Sequence, residues 1–187
     1  MYKDSSLNKY LDDLAGKLPA PGGGSASALT AALGQALASM VINFTIGKPK
    51  YSCFQVDLVE YLEKSETLRR KFLDLVDLDV EAYNTKDYRK ALDVPLTVAQ
   101  FCFEGVKLMP ELVEKGNVNL ISDVAVAAQL LESAFSAACV NVEINLKFIG
   151  DKKLTKDLRK ELAAKGKLVK KIRKDTEARV GKVIRKK

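Results

Sequence analysis

Two kinds of residue in this chain can do chemistry at close range: residues that bare the backbone, and carboxylates. The first kind is Pro21, Gly22, Gly23, Gly24 and Ser25, standing just ahead of a small-residue run from Ala26 to Met40. Three consecutive glycines opening onto a helix present unshielded N–H groups, which suit an anion, an oxyanion or a polar ring edge. The same loop would also let two helices pack closely, and spacing alone does not choose between these roles. No Gly-Lys-Ser/Thr follows and no strand precedes, so neither a P-loop nor a dinucleotide-binding turn fits.

Among the carboxylates, Asp123 follows Ser122 at a helix-cap position in Gly116–Asp123, in the positive field of a helix start, where plain capping is the simpler role. Asp79 and Tyr83 lie four apart in Asp77–Asn84 and share a face with Phe72 and Val76, so Asp79 points inward and needs a partner. Asp77 and Glu81 fall on the face expected to meet water. Asn141 and Asn145 repeat at the same spacing on an apolar helix, either bracing helices or facing a ligand. Lys48, Lys50 and Tyr51 form a loop after the central run.

Composition narrows the chemistry. The 187 residues contain no histidine and no tryptophan. Any general acid or base is therefore a carboxylate, Lys, Tyr or Cys, and a histidine-based metal site is excluded. The 3 cysteines, Cys53, Cys102 and Cys139, lack metal spacing and read as reduced thiols, mostly in the core, of a cytoplasmic protein. No signal-peptide pattern opens the chain.

The elements that must hold these residues are helical throughout. Periodicity predicts helices over 5–16, 24–45, 52–85, 87–115 (one or two), 121–148 and 153–185. Ser5 or Ser6 caps the first, and Ser122 or Asn119 the fifth; Pro95 falls in a first turn, and Pro110 kinks the chain or begins a new turn. Gly116-Asn117 suits a left-handed helix end, and Gly150 closes the fifth helix. The stretch Leu18–Gly47 carries no charge although 29% of the chain is charged. Its length would suit a membrane span, but its scattered polar residues favour a buried central helix, and no membrane is expected. The fold class is all-α: an antiparallel multi-helix bundle with two buried small-residue helices, in a single domain over 1–187.

Charge is uneven. Residues 151–187 form a basic C-terminal helix with 16 Lys and Arg against 5 Asp and Glu, while the preceding 150 residues carry 15 against 19. Such a helix either closes the bundle with a solvated face or holds RNA or an acidic partner.

Several blocks occur in order: Ala-Pro-Gly-Gly-Gly-Ser; Asn-Phe-Thr-Ile-Gly-Lys-Pro-Lys-Tyr; Asp-x-Asp-x-Glu-Ala-Tyr-Asn; Val-Pro-Leu; Gly-Asn-x-Asn-x-x-Ser-Asp; and Val-Asn-Val-x-Ile-Asn-Leu. Together they resemble the formiminotransferase-cyclodeaminase C-terminal family over about residues 8–148. The resemblance implies a dimer acting on one-carbon tetrahydrofolates without a further cofactor or metal. The reaction is either cyclodeamination of 5-formimino-tetrahydrofolate with loss of ammonia or hydrolysis of 5,10-methenyl-tetrahydrofolate. It also implies that Pro21, Gly22, Gly23, Gly24 and Ser25 line the folate site. Asp123 is then the leading catalytic carboxylate, with Asp79 second and Asn84, Asn141 and Asn145 around them. Lys48 and Lys50 would attract the glutamate tail, and Tyr51 and Ser122 are placed with the substrate-binding set. Two departures stand out: the segment before Val94-Pro95-Leu96 is short for the family, and Ala125 replaces a usual glycine. The alternative is a non-catalytic folate- or anion-binding module whose basic tail takes RNA or an acidic partner; nucleic acid is otherwise not expected.

Overall fold

The computed structural model describes residues 1–85 and 87–186. Seven α-helices and no strand occur among the described residues: α1 (Leu7–Ala15), α2 (Gly23–Asn43), α3 (Gln55–Thr85), α4 (Tyr88–Val106), α5 (Met109–Lys115), α6 (Ile121–Ile149) and α7 (Lys152–Arg185). The bundle is antiparallel in sequence order where the long helices meet. Gln35 bonds Ser65 while Ser25 bonds Asp79, so α3 runs back along α2. Glu143 pairs with Arg159 and Glu132 with Arg173, so α7 runs back along α6.

The small residues of α2 do what their size allows. A Cβ on Gly34 would lie 3.2 Å from Leu130 Cβ and 3.2 Å from the Ala127 carbonyl, so the absent side chain sets how closely α2 and α6 approach. Ala28, Ala31 and Ala38 are fully buried beside Val124, Ala127, Leu131 and Ala134 of α6. Phe72 of α3 is fully buried too; truncating such a ring to Ala costs about 3–5 kcal/mol. One polar layer crosses this core. The Gln35 amide donates to Ser65 Oγ at 2.8 Å, and Ser39 and Ser65 share a hydrogen bond of 2.7 Å.

Several local expectations change. Asp77 does not face water: it is 4% exposed and accepts the Tyr2 amide at 2.6 Å and the Lys3 amide at 3.3 Å. The opening 3-10 turn, Tyr2–Asp4, is thereby strapped across α3. Pro95 sits inside α4, not in its first turn, because Asp87 caps the helix much earlier by accepting from the Arg89 and Lys90 amides. Neither Ser122 nor Asn119 caps α6. A 3-10 turn over Val118–Leu120 runs straight into it, and Asn117 takes the capping role by accepting from the Asn119 amide. Gly116 is extended rather than left-handed. Gly150, at φ +71, does end α6 in the left-handed region. Ser6 caps α1, and Pro110 lies in the first turn of α5. Cys53 is exposed, Cys102 is buried, and all three cysteines are unbridged.

The basic helix α7 closes the bundle. Leu158, Leu162, Val169 and Val180 are buried, and Arg159, Arg173 and Arg179 pair with Glu143, Glu132 and Glu114 of other helices. α6 matches α2 in being long and apolar enough to cross a membrane by length and composition, a property the sequence reading gave to α2 alone. A core helix passes the same test, and both pack in this core.

Candidate active site

One end of the bundle gathers the start of α2, the end of α3, the start of α4 and the end of α6 around a cavity of about 690 Å³. That volume suits a small organic ligand. Gly22, Gly23 and Gly24 form one wall, Asp79 and Tyr83 another, and Asn141 and Asn145 a third.

The centre of the site is the contact between the glycine loop and Asp79. Ser25 donates its backbone N–H to Asp79 Oδ2 at 2.8 Å. The carboxylate thus occupies the positive end of α2, the place the sequence offered to an external anion. The loop is glycine for a measurable reason: a Cβ on Gly24 would fall 2.0 Å from Asp79 Oδ1. Burial raises the Asp79 carboxyl above its ordinary value, and the Ser25 bond offsets this only in part. A carboxyl poised this way can hold or release a proton nearer neutrality than a surface acid. Behind it, the Tyr10 hydroxyl and Ser25 Oγ lie 3.2 Å apart in a buried hydrogen bond, and burial raises the Tyr10 phenol as well.

The two asparagines are fixed by main-chain bonds. Asn145 donates to the Ala91 carbonyl at 2.7 Å, bracing α6 against α4, and Asn141 donates to the Ala137 carbonyl at 3.0 Å. The Asn141 carbonyl oxygen faces the loop, 3.4 Å from where a Gly23 Cβ would be. Tyr88 stacks on Phe148 at 5.0 Å between ring centres and 14° between planes, giving the cavity a flat aromatic flank.

The expected site residues therefore divide. Gly22, Gly23, Gly24, Asp79, Asn141 and Asn145 line the cavity together. Pro21 and Ser25 are buried in the loop just outside the lining, and Asn84 is exposed beside it on α3. Asp123 is elsewhere. Eighteen residues make five helical turns, so Asp123 and Asn141 point the same way around α6 but lie about 27 Å apart along it. Ser122 is exposed at that far end. Tyr51 is also there and structural, its hydroxyl accepting the Val118 amide at 3.0 Å. Lys48 and Lys50 are exposed beside it, and Lys50 lies over the Tyr51 ring. Within one chain, then, these lysines do not reach a tail in the cavity, and Asp123 does not reach the loop.

Sequence reasoning missed Tyr88, Asp87, Ile144 and Phe148 of the lining. A signal existed for two of them: Ile144 and Phe148 stand three and seven residues after Asn141, on the same helical face.

Residues 6–86 and 84–164 match the model of the formiminotransferase-cyclodeaminase family. The chain belongs to this family. Among formiminotransferase-cyclodeaminase relatives, a methenyltetrahydrofolate cyclohydrolase from Methylorubrum extorquens is 37% identical, over 87% of this chain and 89% of its own length. A formimidoyltransferase-cyclodeaminase from Rattus norvegicus is 32% identical over 79% of this chain, a match that covers 32% of that longer protein. The crystal structure of a formiminotetrahydrofolate cyclodeaminase from Thermotoga maritima superposes with a TM-score of 0.92 at 29% identity, covering 98% of this chain and 100% of that one. The helical fold of this family member is thus shared over almost its whole length.

Proposed function

We propose that this protein is a one-carbon folate enzyme, interconverting tetrahydrofolate derivatives as a cyclodeaminase or a cyclohydrolase. The observation that carries this is the Asp79 carboxylate, raised by burial and held against a glycine loop in the cavity wall. The names of the relatives supply the substrate class. The cavity supplies what that class needs: an aromatic flank for a flat ring, amides for its polar edge, and a proton-handling acid in a chain without histidine.

The two reactions ask the same of the site. In hydrolysis, water adds to the cationic methenyl carbon and gives up a proton to a base. The bond from that carbon to N5 then breaks as N5 takes a proton and the new hydroxyl gives up its own, leaving the 10-formyl product with one proton released overall. In cyclodeamination, N10 adds to the formimino carbon, and the nitrogen that leaves as ammonia is protonated. Asp79 is assigned the proton shuttle in both, and its anionic form also stabilises the positive one-carbon centre. Asn141 and Asn145 orient the ring, and Gly22–Gly24 allow its close approach. The protein is proposed to act as a homodimer.

The test uses purified protein, with ammonia release from 5-formimino-tetrahydrofolate and absorbance decay of 5,10-methenyl-tetrahydrofolate as the two readouts. Absence of any rate above background in both would refute the reading.

A further inference from the structure

Of the 9 residues of α1, the structure buries one, Tyr10. Tyr10 is 4% exposed, whereas Leu7 and Leu11 on the same helix are 68% and 56% exposed. What this helix delivers to the interior is therefore the tyrosine, and the tyrosine ends on the glycine loop. Its hydroxyl lies 3.2 Å from Ser25 Oγ, and Ser25 is fully buried. The opening turn braces the ring from behind: Tyr2 meets it edge-on at 5.4 Å, and the Tyr2 hydroxyl donates to Asp13 at 2.9 Å.

Ser25 has two polar groups on offer, and they serve different partners. Its backbone N–H donates to Asp79 Oδ2 at 2.8 Å, while its hydroxyl is paired with Tyr10. Whichever oxygen of that pair is the donor, the bond holds Ser25 Oγ toward α1. Among the described residues Asp79 accepts from the Ser25 amide alone. Hydroxyl and amide belong to one residue, so a change of χ1 rotamer is the move that re-aims the hydroxyl at the carboxylate.

No other charge takes over this control. No lysine or arginine lines the cavity, and α2 and α6 bring no charged side chain to it. The titratable groups that share it with Asp79 are Tyr83 of α3 and Asp87 and Tyr88 at the start of α4. Asp87 is committed to the amides of Arg89 and Lys90. Asp77, two residues before Asp79 on α3, is committed to those of Tyr2 and Lys3. On α1, Lys9 and Asp13 pair with each other.

We propose that Tyr10 is a positioning residue for Asp79: by occupying the Ser25 hydroxyl, it leaves the carboxyl with the backbone amide as its one protein donor. Tyr10 touches neither the cavity nor a ligand in it. It acts through Ser25, and it keeps Asp79 from the second donor that would favour the ionised form and take the acid away from neutrality. The role in turnover rests on the folate reading above; the hydrogen-bond control does not.

The test follows Asp79 itself. Its carboxyl carbon is labelled with carbon-13 and titrated against pH in wild type, Tyr10→Phe, Ser25→Ala and the double variant, the signal being assigned by its loss in Asp79→Asn. In Tyr10→Phe the buried Ser25 hydroxyl has lost its partner and turns to the carboxylate, so the midpoint is expected to fall by about 1 pH unit. With Ser25→Ala no hydroxyl is left to turn, and both Ser25→Ala and the double variant are expected to titrate as wild type. A packing defect would move Tyr10→Phe and the double variant alike. That result overturns the proposal, as does an unmoved Tyr10→Phe. If Tyr10→Phe does not fold, Ser25→Ala decides: an unmoved midpoint upholds the proposal, and a shifted one shows that the hydroxyl already serves Asp79 and overturns it. In turnover, the limb of the kcat/KM profile that Asp79 sets is expected to move to lower pH by the same amount in Tyr10→Phe only. The titration needs no substrate, so a protein inactive on both folates would refute the functional reading and leave the control of Asp79 by Tyr10 standing.

Discussion

Asp79 and Ser25, separated by 54 positions in the chain, are joined by a 2.8 Å bond from the Ser25 amide to the Asp79 carboxylate. This contact ties the end of α3 to the start of α2 and puts an acid where the helix field is most favourable to it. Because the acid is also partly withdrawn from water, the two effects oppose, and withdrawal is the larger.

Replacing Asp79 by Asn should separate stability from activity. Asn can still accept the Ser25 amide but cannot move a proton, so kcat should fall by about 10²–10⁴-fold. The native chain holds the Asp79 proton more tightly than the unfolded one. Its contribution to stability is therefore lost as pH rises from the ordinary carboxylate range through the raised value. Asp79→Asn should raise stability at neutral pH, on the order of 1 kcal/mol. The gain should vanish below about pH 4. Thermal denaturation across pH, beside steady-state rates, checks both halves.

Gly24 and Gly23 should differ sharply. The added methyl of Gly24→Ala would overlap Asp79 Oδ1 at 2.0 Å, whereas that of Gly23→Ala meets Asn141 Oδ1 at 3.4 Å. Gly24→Ala is expected to cost about 1–3 kcal/mol and most of the activity. Gly23→Ala should leave stability within about 0.5 kcal/mol. Urea denaturation midpoints compare the two directly; equal effects would contradict the described packing.

Tyr88 forms its side of the aromatic flank while half of its surface meets solvent. Tyr88→Ala should therefore raise KM about tenfold with little change in Tm. Tyr88→Phe keeps the ring and should behave as wild type. Kinetics of the two variants on the same folate decide this.

The N-terminal strap predicts a longer-range effect. Asp77 is buried and accepts two amides from Tyr2 and Lys3, and the Tyr2 ring meets Tyr10 edge-on at 5.4 Å, behind Ser25. Asp77→Ala leaves those amides without their acceptor and should cost about 1–3 kcal/mol. Hydrogen exchange should quicken at Tyr2, Lys3 and Ser25 while α7 stays protected.

The fold was legible because its signals are periodic and long. Uncharged runs in α2 and α6 and an amphipathic α7 leave little choice but a helical bundle. Half of the cavity was legible too, since the glycines, Asp79 and the two asparagines stand in recognisable blocks. Asp77 misled because periodicity records which face a residue takes, and cannot register that the first three residues fold back over that face. That Lys48, Lys50, Tyr51 and Asp123 lie at the far end of the bundle from the glycine loop was not legible for another reason. Blocks in one linear order carry no information on which end of a 29-residue helix each meets. Tyr88 escaped because its stacking on Phe148 depends on how the start of α4 is set against the end of α6, which periodicity within one helix does not record.

The strap at Asp77 has a practical side. Met1 lies beside Val80 and Glu81, less than one turn of α3 from the acid in the cavity. Any peptide or label grafted ahead of Met1 must leave the molecule over that spot. It would crowd the two amides that Asp77 holds and, through them, the tyrosine backing the loop. Handles for purification, immobilisation or fluorescence therefore belong beyond Arg185, where α7 ends away from the glycine loop.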